Sequence, residues 1–348
     1  MAKDHISYLP VDNGDSIIIK AGQKTVLTDI NYRKDDDTFD IKPAIEESCT
    51  NSVLNYFILT HTDQDHVRGF NEVFHCGEPS KWDADKNIRV DTIVCSQYVI
   101  DLTNPTDIAK PLVQEIRRRN RLNSNVDGNR LIIVEDGSTL NVNNRLKGYV
   151  LSPSETELES ADPKADKDEE TNNTSVVIRW VYKIASGNET NILLSGDSEH
   201  EVWQRLDEKD STELNWHLIT APHHCSLTPL AYKAEGEDDY TDDDKAINAL
   251  SHKLRKGFVV SSSKPIKRNS DNPPHYKGKQ KWLKILRNNN SDTPENRFFC
   301  TATYGNNDKA GIVKFELNEK GIKLFSDNNG SKTAAVSSLN RPTRYGHR

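Results

Sequence analysis

The chain has 348 residues, of which 34% are hydrophobic and 28% charged, enough for one large domain or two ordinary ones. No window approaches the ~18 consecutive apolar residues of a membrane span. The five scattered cysteines (Cys49, Cys76, Cys95, Cys225, Cys300) form no C-x-x-C pair, which argues against a disulfide framework and a thiolate zinc site. The net charge of −7 excludes a wholesale electrostatic grip on nucleic acid, though not a local basic patch.

From the N-terminus, Met-Ala-Lys-Asp-His enters a strand pattern at once, which reads as no signal peptide and a cytoplasmic protein. His5-Ile-Ser-Tyr-Leu-Pro-Val alternates as a strand, Asp12-Asn-Gly-Asp15 turns, and Ser-Ile-Ile-Ile-Lys and Thr25-Val-Leu-Thr-Asp29-Ile follow as further strands. Residues 39–49 carry helix formers, and the buried-strand run 52–60 ends directly at His61. Apolar strand runs are predicted at 91–95, 131–134, 147–151, 175–184, 191–195, 217–220, 257–262, 298–303 and 311–316. Helices are expected at 106–119, 198–209 and 276–288. This order suggests two sheets with helices outside. Polar stretches at 75–90, 155–173 and 232–248 read as insertions, the second as a mobile acidic loop and the third as a solvated acidic run. The expected organisation is one elaborated domain over 1–327 and a flexible basic tail over 328–348.

The chemistry concentrates at strand ends. His61-Thr-Asp63-Gln-Asp65-His66 follows the apolar run 52–60, and a short loop there can bring four side chains onto one point. Imidazole nitrogens and carboxylate oxygens are what hydrolytic divalent metals take as ligands. Three more strand ends deliver the same residue types: Asp197 after Asn191-Ile-Leu-Leu-Ser-Gly, His223-His224-Cys225-Ser226 after Leu218-Ile-Thr-Ala-Pro, and His275 in Asn272-Pro-Pro-His275. Alone, a strand-Gly-Asp turn or a histidine pair is common. Four together are a joint signal for a metal site.

These residues resemble the metallo-β-lactamase superfamily, and most closely the metallo-β-lactamase-like domain of competence DNA-uptake channel proteins. Its opening V-G-Q-G-D-S is matched by Val11-Asp12-Asn13-Gly14-Asp15-Ser16, and its strand-ending aspartate by Asp29. The HxHxDH motif stands as His61-Thr-Asp63-Gln-Asp65-His66, with Asp for the middle His. Further matches are Leu151-Ser152-Pro153, Asn173-Thr-Ser175, Leu193-Leu-Ser-Gly-Asp197, His223-His224-Cys225-Ser226 and Asn272-Pro-Pro-His275. The resemblance implies an α+β four-layer αβ/βα sandwich, the metallo-β-lactamase fold, with metals at one edge. It implies that His61 and Asp63 hold one metal, that Asp65, His66 and His223 hold a second, and that Asp197 bridges them. His224 is the alternative to His223, which is favoured. Asp15 and Asp29 would orient the ligands. The superfamily histidine expected near residue 150 is absent, with Ser152 in that neighbourhood, so the first site is richer in oxygen and Mn²⁺ or Mg²⁺ stands beside Zn²⁺. Cys225 replaces a glycine and reads as a small buried filler or a soft zinc ligand.

The resemblance further implies hydrolysis by a metal-activated bridging hydroxide, with Asp65 and Asp197 in the catalytic set and His275, or else Asp63, protonating the leaving oxygen. A phosphodiester in nucleic acid or a nucleotide is the leading substrate. Ser226, Ser152, Ser175 and Lys277 are candidate substrate contacts, and Lys264, Lys267, Arg268, Lys279 and Lys281 could track a phosphate backbone. Arg117-Arg-Arg-Asn-Arg121 reads as a solvated helix face, and no aromatic platform for bases is evident. The alternatives are a hydrolase of a lactone, thioester or cyclic nucleotide, with a pocket roofed by 75–90 or 155–173, and a metal-stabilised non-catalytic component of a bacterial defence or competence assembly that docks a protein partner.

Overall fold

The computed structural model describes residues 3–325 apart from Asp36, 165–167, 184–186, Glu235 and Asp238, so the predicted tail at 328–348 lies outside the described residues. The first strands are β1 (His5–Tyr8), β2 (Ile17–Ala21), β3 (Lys24–Thr28), β4 (Val53–Ile58), β5 (Arg89–Cys95) and β6 (Arg130–Ile133). Next come β7 (Thr139–Asn141), β8 (Leu146–Ser152), β9 (Val177–Lys183), β10 (Glu189–Leu194) and β11 (Trp216–Thr220). A small ribbon pairs β12 (Ala231–Tyr232) with β13 (Thr241–Asp242). The last strands are β14 (Lys253–Ser261), β15 (Phe298–Cys300), β16 (Val313–Asn318) and β17 (Gly321–Leu324).

One sheet runs β17-β16-β1-β2-β3-β4-β5-β6 and the other β15-β14-β11-β10-β9-β8-β7. Each is mixed: β3 to β6 are mutually parallel, as are β10, β11, β14 and β15, and the remaining pairs are antiparallel. Strand periodicity decides which side chains enter which layer. Ile17 and Ile19 face the space between the sheets with Ile192, Leu194, Leu218, Phe258 and Val260. Ile18, one position over, faces outward with Leu27, Phe57 and Ile93 onto the helices at Lys42–Ser48 and Lys110–Leu122. On the other sheet, Leu193, Ile219 and Val259 face the helices at His200–Leu206, Asp244–Leu250 and Tyr276–Leu286. Three apolar layers between four layers of structure make the αβ/βα sandwich expected from the sequence. No helix among the described residues is long and apolar enough to cross a membrane.

Three readings need correction. The stretch 155–173 carries helices at Glu155–Ser160 and Asp168–Asn173. Ser154 accepts from the Glu157 amide while Glu157 accepts from the Ser154 amide, and this capping box outweighs the acidic composition. In 232–248, Asp243 caps the helix Asp244–Leu250, whose Ala246, Ala249 and Leu250 are buried. In the run 117–121 only Asn120 and Arg121 are exposed, and Arg117 donates to the Ile100 and Leu102 carbonyls. Arg118 and Arg119 both pair with Glu115, and Arg119, 1% exposed, also reaches the Val90 carbonyl.

Candidate metal centre

The parallel strands β3, β4, β10, β11 and β14 all end at one edge of the sandwich, where the chain leaves them carrying Asp29, His61, Asp197, His223 with His224, and Ser262. Gly196 has φ +51°, and a Cβ there would meet the Thr60 Cβ at 2.8 Å, so the turn into Asp197 can lie against Thr60 only as glycine. After β11, three successive residues take left-handed backbone: His223 (φ 47°), His224 (φ 52°) and Cys225 (φ 65°). Non-glycine residues are strained there, and such strain gathers at functional sites.

Two groups of metal-ligating atoms form at this edge, His61 with His66 and Asp197, and Asp65 with His66 and His224, each within 4.8 Å. The His61 Nε2 is 3.7 Å from Asp63 and 3.8 Å from Asp197. The His224 Nε2 is 3.1 Å from Asp197, 3.3 Å from Asp65 and 3.3 Å from the His66 Nε2. Asp197 therefore stands between the groups, 3.3 Å from the His66 Nε2 through its other oxygen. A third group, Asp15, Asp29 and His66, lies behind.

Each imidazole is held by its outer nitrogen. The His66 Nδ1 donates to Asp29 at 2.8 Å, and the His223 Nδ1 to Glu199 at 2.7 Å. Thr60 gives its hydroxyl proton to Asp29 at 2.5 Å, so the His61 Nδ1, 3.0 Å away, donates to the Thr60 oxygen. The His224 Nδ1 is 3.1 Å from both the Ser262 carbonyl and the Gly14 amide; donation to the carbonyl is the tautomer that leaves Nε2 free. The His61 Nε2 and Asp197 Oδ1 are buried without a hydrogen-bond partner. Outer nitrogens tied to oxygen and inner ones turned toward a shared carboxylate, with the His61 Nε2 unpaired, are the arrangement that metal-binding histidines take.

The electrostatics are those of a compact charge cluster. Burial works against ionisation of Asp197, but the His224, His66 and His223 charges hold its carboxyl well below the usual range. Asp65 is likewise held low against burial by its hydrogen bond to His224 and by the charge of His66. Burial opposes charge on His66 and His224, yet Asp197 with Asp29 lifts the former well above its ordinary value, and Asp197 with Asp65 lifts the latter to about 10. Asp15 is pushed up to about 6 by burial, with Asp29 and Asp197 adding to the shift.

His61, Asp63, Asp65, His66 and Asp197 thus converge. Of the two adjacent histidines, His224 lies within a ligand group, and the His223 Nε2 lies 3.7 Å from Asp197, outside the groups. Of the proposed substrate contacts, Ser152 is fully buried and bonds to Glu157 at 3.3 Å. Ser226, 1% exposed, bonds to Thr228 at 2.9 Å. Ser175 is fully buried with an unpartnered hydroxyl, and Lys277 is exposed. His275 is 7% exposed, and its Nδ1 accepts from the Leu227 amide at 3.1 Å, so its proton sits on Nε2. Burial and the neighbouring His223 charge push its pKa down, which keeps the ring neutral. Cys225 packs with Trp282 and Leu230, outside the ligand groups, and its thiol is pushed far up by burial. Residues unread in the sequence are Thr60, which locks Asp29 to His61, and Thr171, whose hydroxyl donates to Asp63 at 2.9 Å. Thr60 was legible as the neighbour of His61; Thr171 carried no signal.

No family model matches the chain, and no curated protein matches it in sequence. Among solved structures, the Rm3 metallo-beta-lactamase is similar at 12% identity, covering 75% of this chain and 76% of its own, with a TM-score of 0.35. The metallo-beta-lactamase MIM-1 from Novosphingobium pentaromativorans is similar at 12% identity over 71% of this chain and 86% of its own, with a TM-score of 0.36. CmlA, a diiron beta-hydroxylase from Streptomyces venezuelae, is similar at 14% identity over 63% of this chain and 34% of its own, with a TM-score of 0.34. The chain therefore spans about a third of the length of CmlA.

Proposed function

We propose that the chain is a metal-dependent hydrolase that holds divalent ions at this edge and cleaves phosphodiesters, in nucleic acid or in a nucleotide. The observation that carries the reading is the set of imidazoles tied by their outer nitrogens around Asp197, with the His61 Nε2 and Asp197 Oδ1 left unpaired. One ion would be held by His61, Asp63 and Asp197, and a second by Asp65, His66, His224 and Asp197. Mixed imidazole and carboxylate donors suit Mn²⁺ and Zn²⁺, with Mg²⁺ the harder alternative.

Bound divalent ions supply Lewis acidity toward a phosphoryl oxygen and an acidified water. The chain's own residues prepare the rest. Asp29 fixes the His66 ring, Thr60 fixes the His61 ring, and Thr171 fixes Asp63. His275, neutral and protonated on Nε2, carries the proton that the leaving oxygen needs.

The test compares wild type with Asp65→Ala and His66→Ala on labelled single- and double-stranded DNA and RNA, with Mn²⁺, Mg²⁺ or Zn²⁺ added. Cleavage that needs both residues and one particular ion is expected. A wild type that binds metal by elemental analysis yet cleaves none of these substrates overturns the nucleic-acid reading. One contact favours a second reading, a small-molecule hydrolase of a lactone, thioester or cyclic nucleotide. The bond from Thr171 to Asp63 brings the helix Asp168–Asn173 of the 155–173 stretch against the site. Turnover of such an ester without any nuclease activity would establish it.

A further inference from the structure

We infer that the strand cleaved at this edge is single-stranded nucleic acid, gripped by the loop 262–277 through its phosphates and by Tyr240 through a base. The inference rests on the phosphodiesterase reading above and names its substrate. Both ends of the loop are built onto the site. At its start, the Ser262 carbonyl holds the His224 Nδ1 and the Ser262 hydroxyl donates to the Gly14 carbonyl at 2.7 Å. At its end, the His275 amide donates to the Cys225 carbonyl at 3.0 Å and the His275 ring accepts from Leu227.

Between these anchors the loop is tied to the turn that precedes Asp15. The Lys264 amide donates to the Asn13 side chain at 3.1 Å, and Asn13 donates to the Pro273 carbonyl at 2.8 Å. The Lys267 amide is held by Ser270, whose own amide returns to the Lys267 carbonyl. The backbone is therefore fixed while its cations reach outward. Lys264, Lys267, Arg268 and Lys277 are exposed, and none forms an ion pair with a described residue. Lys281, by contrast, is paired with Asp242, and Lys279 lies over the Phe298 ring. The only carboxylate between residues 262 and 277 is Asp271. Three unpaired cations on a rigid loop, and Lys277 in the first turn of the helix that follows, suit a polyanion longer than one phosphodiester.

Tyr240 decides which polyanion. Its ring meets His275 edge-on, with centroids 6.2 Å apart and an interplanar angle of 73°, and it is 36% exposed. A partly exposed ring beside the proton carrier can stack an unstacked base, which a single strand offers and a duplex keeps inside, while the exposed carboxylates around it (Glu237, Asp239) leave the phosphates to the loop 262–277.

The experiment measures fluorescence anisotropy of labelled oligo(dT), and of a duplex of equal length, on chelator-treated protein. Expected for Lys264→Ala/Lys267→Ala/Arg268→Ala is affinity lower by roughly tenfold or more, and a salt dependence shallower by about 2 in log K against log[salt]. Tyr240→Ala should weaken single-strand binding by roughly five- to 150-fold and leave duplex binding unchanged. With metal restored, oligonucleotide cleavage by the triple variant should fall with affinity, and by a larger factor than hydrolysis of bis-p-nitrophenyl phosphate, which has no neighbouring phosphates to grip. Wild-type oligo(dT) affinity in both variants, or duplex bound more tightly than single strand, overturns the inference while small-ester hydrolysis keeps the phosphodiesterase reading. A wild type that hydrolyses neither substrate with any of the three ions overturns that reading and, with it, the strand as substrate.

Discussion

At the residue scale, Asp29 does the most with one side chain. Fully buried at φ 53°, it accepts from the Thr60 amide and hydroxyl and from the His66 ring. It thereby fixes one proposed ligand directly and, through Thr60, a second. Replacing such a partner of a metal-binding histidine costs about 10- to 100-fold in metal affinity. Asp29→Ala is expected to lose that much in a chelator competition, and an unchanged affinity would remove Asp29 from the site. The buried Glu115–Arg119 pair teaches the opposite lesson: the first three arginines of a run read as a solvated helix face form an internal brace, with Arg119 satisfied by backbone carbonyls.

At the scale of elements, the 155–173 stretch shows how a local motif overrides composition. The signal was legible as Ser154-x-x-Glu157, the capping-box spacing, in a stretch whose acidic residues suggested disorder. Glu157 also pairs with Arg205 at 2.8 Å, which ties this helix to the His200–Leu206 helix that follows Asp197. Ser154→Ala should lower unfolding stability by about 1 kcal/mol, the usual value of an N-cap, in urea titration. An unchanged midpoint would show that solvent replaces the cap.

At the scale of the whole molecule, the candidate site joins the sheets: His61, Asp63, Asp65 and His66 follow β4 of one, and Asp197 and His224 follow β10 and β11 of the other. A ligand that binds only the folded state stabilises it, so wild type should melt lower after chelation and recover with added ion. Acid sensitivity has a contribution remote from the site. Burial, and then the Arg255 charge, push His217 down from the ordinary 6.5 to about 4, and its Nδ1 accepts from the Asn191 amide. Between those values the unfolded chain binds a proton that the folded chain refuses, so this contribution to stability falls as pH drops from about 6.5 to about 4 and levels off below. In chelator-treated protein, His217→Gln should show a shallower loss across that window, and an identical slope would count against the role of His217.

The sequence by itself determined most of the strands, because apolar runs such as Ile17-Ile-Ile19 mark buried segments, while β7, β12, β13 and β17 left no such run; strand geometry then sends Ile17 and Ile19 to one face and Ile18 to the other. It also placed histidine or aspartate directly after strands at His61, Asp197 and His223, and so a metal site where they end, whereas His275, read as a fourth strand end, caps the helix Tyr276–Leu286 beyond the loop that follows β14. Only the tertiary structure decided which side chains face that site. His223 and His224 are neighbours in a turn whose left-handed backbone is set by contacts with Gly196 and Ser262, from elements distant in sequence. Ser226 lies 3.3 Å from the His275 ring, 49 residues away, and Thr171 reaches Asp63 across 108 residues of chain. Residue type and spacing establish which ligands are present; the direction of a side chain depends on packing between segments, which no single stretch of sequence contains.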